Sequence, residues 1–344
     1  MTRVVIESLG AGGDGKAGAL FVPFALPGET VEIGADGRLL AVIDPSPDRR
    51  EAPCPWFGRC GGCKLQHMTV ESYRAWKLAA LAKTLGQRRI APPTEAPLWL
   101  AEGTRRRAEF APGGGFRALK SHEILPVSDC LLLAPELNGG GREGLWTLCD
   151  DGLAGEGAPP RHVAFGGHMV EVPPRAFLQA TRQGEAALQA LVAAAVPAGA
   201  RAVDLFCGLG TFTLPLGAKG YDSDRAAVAA LTDAGGNADV RDLFKEPLQP
   251  KELAPYAYAV LDPPRAGAFA QTKALAASGV EKIVYVSCNP ATFGRDARVL
   301  LDSGFALETL APVDQFVYSP HWELVGVFGR IFGGKNGKRG GLDD

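Results

Sequence analysis

Cys288 stands at the end of an apolar run, Ile283-Val284-Tyr285-Val286, that closes in Ser287-Cys288-Asn289-Pro290. The run has the β-branched content of a buried strand. In an open α/β sheet, groups just beyond the carboxyl end of a strand face the ligand crevice. A thiol there could act as a nucleophile. The competing reading is a cysteine packed as a small hydrophobe. Three further strand ends carry acids that could face the same crevice: Asp222 after Lys219-Gly220-Tyr221, Asp242 after Ala238-Asp239-Val240-Arg241, and Asp262 in Leu261-Asp262-Pro263-Pro264-Arg265. The rigid Pro263-Pro264 step exposes the carboxylate of Asp262.

The stretch Ala202-Val203-Asp204-Leu205-Phe206-Cys207-Gly208-Leu209-Gly210-Thr211-Phe212 reads as a strand, a glycine turn and a helix start. The glycines permit a tight turn and close backbone approach to a ligand. A dinucleotide site calls for a third glycine, and Thr213 stands at its position. An acid before Gly-x-Gly suits S-adenosylmethionine (SAM) better, since its ammonium group can meet a carboxylate.

A second group of thiols lies far upstream. Cys54, Cys60 and Cys63 have a C-x5-C-x2-C spacing, with Gly58, Gly61 and Gly62 between them, and Cys130 could supply a fourth ligand. Four thiolates could hold zinc or a [4Fe-4S] cluster. Paired C-x2-C knuckles are the usual zinc pattern, so one triplet plus a distant cysteine favours iron–sulfur. Cys149 has no apparent partner and reads as structural.

The elements that must position these groups fall into four stretches. Residues 1–52 hold short alternating runs broken by Gly10–Gly15 and Pro27-Gly28, the pattern of a small β-barrel. Residues 53–172 hold the cysteine triplet, a helix from about Val70 to Arg88, and antiparallel strands over 91–172. Residues 173–332 alternate strands and helices, and Gly- and Lys-rich 333–344 reads as a disordered tail. The 344 residues carry a net charge of −2, unlike the overall charge of a nucleic-acid binder. Residues 74–120 nevertheless carry ten Lys/Arg against three acids, a candidate phosphate-binding face in which Thr104-Arg105-Arg106-Arg107 could meet an RNA backbone. Residues 1–52 are acidic, with five Lys/Arg against eight Asp/Glu. No apolar run reaches membrane-spanning length, and the seven cysteines do not suggest a disulfide framework, so a cytoplasmic protein is expected.

Together Val203–Gly210, Leu261–Gly267, Val284–Thr292 and His321-Trp322-Glu323 resemble the RNA uracil-C5 methyltransferase family. The cysteine triplet, and Phe21–Glu29, which resembles the TRAM module, point to its bacterial 23S ribosomal RNA branch. The resemblance implies a Rossmann-like SAM-dependent methyltransferase domain over 173–332, a doubly wound α/β sheet with an antiparallel last strand. It also implies an OB-like TRAM barrel over 1–52 and a central α+β domain over 53–172 with a [4Fe-4S] cluster on Cys54, Cys60, Cys63 and Cys130. Gln179, Phe206, Thr211, Asp222, Asp242 and Asp262 are the implied SAM contacts. Cys288 is the implied nucleophile and Glu323 the base; the plain alternative for Glu323 is a strand-end surface glutamate. Three departures bear on the SAM pocket: Thr211 stands where the family often has Asn, Asp222 replaces a more usual Glu, and only about eighteen residues separate Asp204 from Asp222.

The implied activity is methylation of a uridine at C5 in RNA, most simply 23S ribosomal RNA, by a monomer with no membrane partner. A transfer RNA substrate is one alternative. Methylation of a base nitrogen by Asp262-Pro263-Pro264 is another, but it leaves Cys288 without a task. A non-catalytic iron–sulfur RNA-binding protein is the third.

Overall fold

Strands buried on both faces read as unbroken apolar runs, and the centre of the molecule is built from several of these. A computed structural model describes residues 1–197 and 199–331; the expected disordered tail, 333–344, lies outside the described residues. Eight strands form one mixed sheet: β1 (Leu98–Trp99), β2 (Ala202–Leu205), β3 (Lys219–Asp222), β4 (Asn237–Val240), β5 (Tyr258–Leu261), β6 (Lys282–Ser287), β7 (Phe305–Asp314) and β8 (Glu323–Arg330). Their spatial order is β4-β3-β2-β5-β6-β8-β7-β1. Strands β2 to β6 run parallel, whereas β8 inserts antiparallel between β6 and β7. The expected doubly wound sheet with an antiparallel last strand is therefore present.

The sequence reading differs at one edge. The stretch 91–172 was expected to form antiparallel strands, and most of it does, but its first strand β1 pairs parallel with β7 of the large sheet. A two-residue strand carries no readable period. Its Trp99 ring sits 5.2 Å from that of Trp322, which explains the attachment by buried aromatic surface.

Helix α1 (Val70–Gly86) starts where Thr69 accepts from Ser72 N at 3.3 Å, a side-chain cap. Helix α2 (Arg182–Ala195) is capped by Thr181 in the same way. Helix α3 (Pro290–Asp302) starts from Asn289, with Pro290 in the first helical position where its missing N–H costs nothing. The helix expected between Asp204 and Asp222 is a single turn, Thr213–Leu216. Tyr285, Phe293, Leu300, Trp322, Leu324 and Phe328 belong to one buried cluster that locks α3 onto the sheet. The six short strands of residues 1–44 join as two three-stranded antiparallel sheets around Ile6, Val22, Val31 and Ile33. Among the described residues no helix is long and apolar enough to cross a membrane.

Candidate active site

Register brings the thiol and the carboxylate together. Ser287 of β6 pairs with Leu324 of β8, so the next residues outward, Cys288 and Glu323, are cross-strand neighbours at the sheet's end. Cys288 is half-buried. Burial, and then the nearby carboxylates of Glu323 and Asp262, push its thiol up to about 12, while Arg265 works in the opposite direction. Glu323 is only 3% exposed, which removes the reading of a surface glutamate. Burial first and Asp262 second raise its carboxyl well above the ordinary range. Asp262 is itself raised to about 7, by burial and then by Asp222.

The carboxylates of Asp262 and Glu323 are joined by a chain of amides. Gln179 Nε2 donates to Asp262 Oδ2 at 2.8 Å. Gln315 Nε2 donates to Gln179 Oε1 at 2.9 Å and to Glu323 Oε2 at 2.8 Å. Gln315 was not singled out in the sequence, where an isolated glutamine after Asp314 has no motif to mark it. Arg106, read there as an RNA contact, is instead 2% exposed and ion-paired with Glu185 of α2. Its Nε donates to the Gln179 carbonyl at 3.0 Å, so it fixes the backbone of the residue that holds Asp262.

The other sequence-selected acids surround the glycine turn. Asp222 Oδ2 accepts from Gly208 N at 2.9 Å. Gly208 has φ +50 with open space where a Cβ would stand, and Phe206 holds the left-handed region at φ +66. A bulky residue there is strained, a condition found most often at functional sites. Asp242 Oδ1 accepts from Phe244 N at 3.1 Å and pairs with Lys245 at 2.9 Å. That turn holds the exposed Phe244 ring 5.4 Å from Phe206, forming an aromatic wall that sequence reasoning missed. The Thr211 carbonyl accepts from Gln189 Nε2 at 3.0 Å. It is Thr213 that donates to buried Asp204, at 2.7 Å, leaving the second Asp204 oxygen without a partner. Burial raises Asp204 to about 7. An orphaned buried carboxylate oxygen, an open glycine turn and an aromatic wall fit a ligand with an ammonium group and a flat base, as SAM has.

Beyond Cys288 a cavity of about 700 Å³ opens, lined by Lys64, Arg105, Arg265, Asn289 and His321 among others. Arg265 Nη2 lies 3.1 Å from His321 Nδ1. Burial, then Arg265, hold that imidazole down to about 4, so it is neutral at physiological pH. Asn289 Nδ2 donates to the Arg265 carbonyl at 2.9 Å and ties the Pro263-Pro264 loop to the Cys288 loop. A larger cavity, about 1210 Å³, lies apart from these groups against Phe24, Phe57 and His67.

Cys54, Cys60, Cys63 and Cys130 all line one cavity of about 1190 Å³. Burial and then mutual repulsion raise Cys130, and burial raises Cys63 to about 12 with its three neighbours adding to the shift. Among the described residues, however, no group of three or more His, Cys, Asp or Glu side chains could hold a metal ion as it stands. Four thiolates on one zinc would stand roughly 3.8 Å apart, from Zn–S bonds of about 2.3 Å. Such convergence is not formed here, so the four thiols as they stand do not make a metal site.

Comparison with known proteins places these features in context. A model of the tRNA (uracil-5-)-methyltransferase family matches residues 225–330. An uncharacterized RNA methyltransferase of Brucella suis is 36% identical, over 94% of this chain and 97% of the relative. A 23S rRNA (uracil(1939)-C(5))-methyltransferase of Pseudomonas entomophila is 32% identical, over 95% and 93%. The crystal structure of a Pyrococcus abyssi tRNA (uracil-54, C5)-methyltransferase with S-adenosyl-L-homocysteine superposes with a TM-score of 0.74 at 20% identity, covering 95% of this chain and all of the other.

Proposed function

The chain belongs to the RNA uracil-5-methyltransferase family, whose members are SAM-dependent enzymes, and from that premise we propose that it methylates C5 of a uridine in 23S ribosomal RNA through a covalent adduct on Cys288. The observation that carries the reading is the pairing of Ser287 with Leu324, which makes a thiol and a buried carboxylate neighbours at one sheet end. The 23S assignment is supported by the Pseudomonas relative.

Uracil C5 is a weak nucleophile. The Cys288 thiol gives up its proton to solvent, its sulfur gives an electron pair to C6, and the C5–C6 π pair moves toward O4, making C5 enolate-like. SAM, when bound, would supply an electrophilic methyl group, its S–CH3 bond breaking to leave S-adenosylhomocysteine as C5 takes the methyl. Once C5 is methylated, the Glu323 carboxylate takes the C5 proton. The released pair re-forms the C5–C6 double bond and expels the Cys288 thiolate. Gln315 holds Glu323 in place, and Gln179, Phe206, Thr211, Asp222, Asp242 and Asp262 form the SAM side of the site. The target base must leave its stack to reach Cys288. Lys64, Arg105 and Arg265 at the mouth offer positive charge to the flanking phosphates. A base-nitrogen methyltransferase would need Asp262-Pro263-Pro264 but neither Cys288 nor Glu323.

Around this core, residues 1–52 are read as the TRAM-like domain, 53–172 as the central domain and 173–332 as the catalytic domain of a cytoplasmic monomer. Cys54, Cys60, Cys63 and Cys130 would hold a [4Fe-4S] cluster, a reading that rests on their spacing in the sequence and on the one cavity they line. The cluster would shape an RNA surface and take no part in turnover.

RNA carrying tritium at uridine C5 tests the reaction. The proposal expects one tritium released per methyl group transferred, with mass spectrometry locating the product in 23S RNA. Methylation without tritium release would remove the C5 reading, and methylation of transfer RNA alone would move the substrate.

A further inference from the structure

The loop that leads into Glu323, the first residue of β8, is held from outside the catalytic sheet's own segment. Lys77 of α1 and Asp314 at the end of β7 form an ion pair with side chains 0% and 2% exposed. Tyr73, one turn earlier on α1, donates its hydroxyl to the same Asp314 carboxylate. The second flank of the loop meets the same helix: Trp322 Nε1 donates to the Lys77 carbonyl at 3.2 Å, and the Lys77 ammonium sits 4.7 Å from the Trp322 ring centre. In between, Tyr318 N donates to the Tyr73 hydroxyl at 3.3 Å, and Lys64 and Leu65 donate to the Tyr318 carbonyl at 2.9 and 3.2 Å. Tyr318 keeps a left-handed φ of +57, so this loop is held in a shape its own sequence does not favour.

The pinned residue at each flank of the loop adjoins a residue of the site. Asp314 precedes Gln315, the donor to Glu323, and Trp322 precedes Glu323 itself. We propose that the buried Lys77–Asp314 pair, with Tyr73, is a positioning device that aims Glu323 at the proton it removes, so that helix α1 completes the catalytic site. The inference rests on the reading of Glu323 as the base. Packing alone does not call for an ion pair here, because apolar residues of similar volume serve stability as well or better. What the pair adds is direction: a carboxylate held by two donors has one orientation, and the backbone of Asp314–Gln315 follows it. Burial pulls the Lys77 ammonium down to about 8 against the attraction of Asp314, a measure of how dry the pair is.

The test uses the full chain in three forms: Tyr73→Phe, Lys77→Met, and Lys77→Met with Asp314→Leu, which leaves no unpaired buried charge. SAM binding by calorimetry reports whether each is folded, and a denaturing gel reports covalent protein–RNA adduct during turnover. The expected result is SAM affinity within about twofold of wild type with adduct breakdown slowed on the order of a hundredfold in the double variant, the scale of a misplaced reacting group. Tyr73→Phe, which deletes one hydroxyl, should slow breakdown about tenfold. Activity lost together with SAM binding, or without any adduct, would mean a merely structural role and overturn the proposal. Glu323→Gln runs alongside: adduct from it but not from the double variant overturns this inference alone, while no adduct from Glu323→Gln removes the base and this inference with it.

Discussion

Gln179 and Glu323 share one donor. The Gln315 amide bonds both, at 2.9 and 2.8 Å, and Gln179 passes the connection on to Asp262 at 2.8 Å. The carboxylate read as the base and the carboxylate read as facing the methyl donor are thus ends of one buried chain. Two such carboxylates disfavour joint ionisation, and the amides between them set which oxygen points where.

Gln315→Leu should break that chain while keeping volume. Glu323 would lose a buried donor, worth about 1.5–3 kcal/mol to a charged acceptor. Breakdown of the covalent protein–RNA adduct should slow roughly tenfold to a hundredfold, with a smaller change in SAM affinity. An unchanged rate would show that Glu323 needs no help from Gln315.

The pH profile follows from two shifts of the same sign. Cys288 is pushed up to about 12, chiefly by burial, and Glu323 is raised by burial and Asp262. Both must lose a proton to act, the thiol to attack C6 and the carboxyl to accept from C5. Activity is therefore lost as pH falls and gained as it rises. kcat/KM measured from pH 6 to 9 should climb with pH, about tenfold per unit where one of the two groups limits and more steeply where both do. A profile that falls across that window would contradict both assignments.

The aromatic wall gives a separate test. Phe244→Ala removes an exposed ring that faces Phe206 at 5.4 Å. An aromatic contact of this kind is worth about 0.5–1.5 kcal/mol, so the SAM Kd should rise roughly twofold to tenfold. Calorimetry showing no change would place the adenine elsewhere.

Much of this site was legible because local rules mark it. The apolar run 283–286, its abrupt end and the Asn289-Pro290 helix start all lie within eight residues of Cys288. The acids at strand ends followed from the α/β pattern. What stayed hidden depends on partners far along the chain. Arg106 belongs to a basic run, yet it is buried by Glu185, which the run does not contain. Gln315 and Phe244 matter only through residues that folding brings beside them. Strand β1 was lost because two residues show no period, and its neighbour β7 lies over two hundred positions away.

For the cysteines, anaerobically purified protein should carry about four irons per chain if the cluster reading holds. Cys63→Ser should lower that content and the associated absorbance. Zinc in its place, at one ion per chain, would overturn the choice of metal group.

The most direct measurement is the mass of the peptide spanning residues 283–295 after reaction with SAM and RNA carrying 5-fluorouridine at the target. Fluorine cannot leave as a proton does, so the account predicts a stable adduct of methylated 5-fluorouridine on Cys288, absent from Cys288→Ala, which should still bind SAM. An adduct on another residue, or efficient methylation by Cys288→Ala, would contradict it.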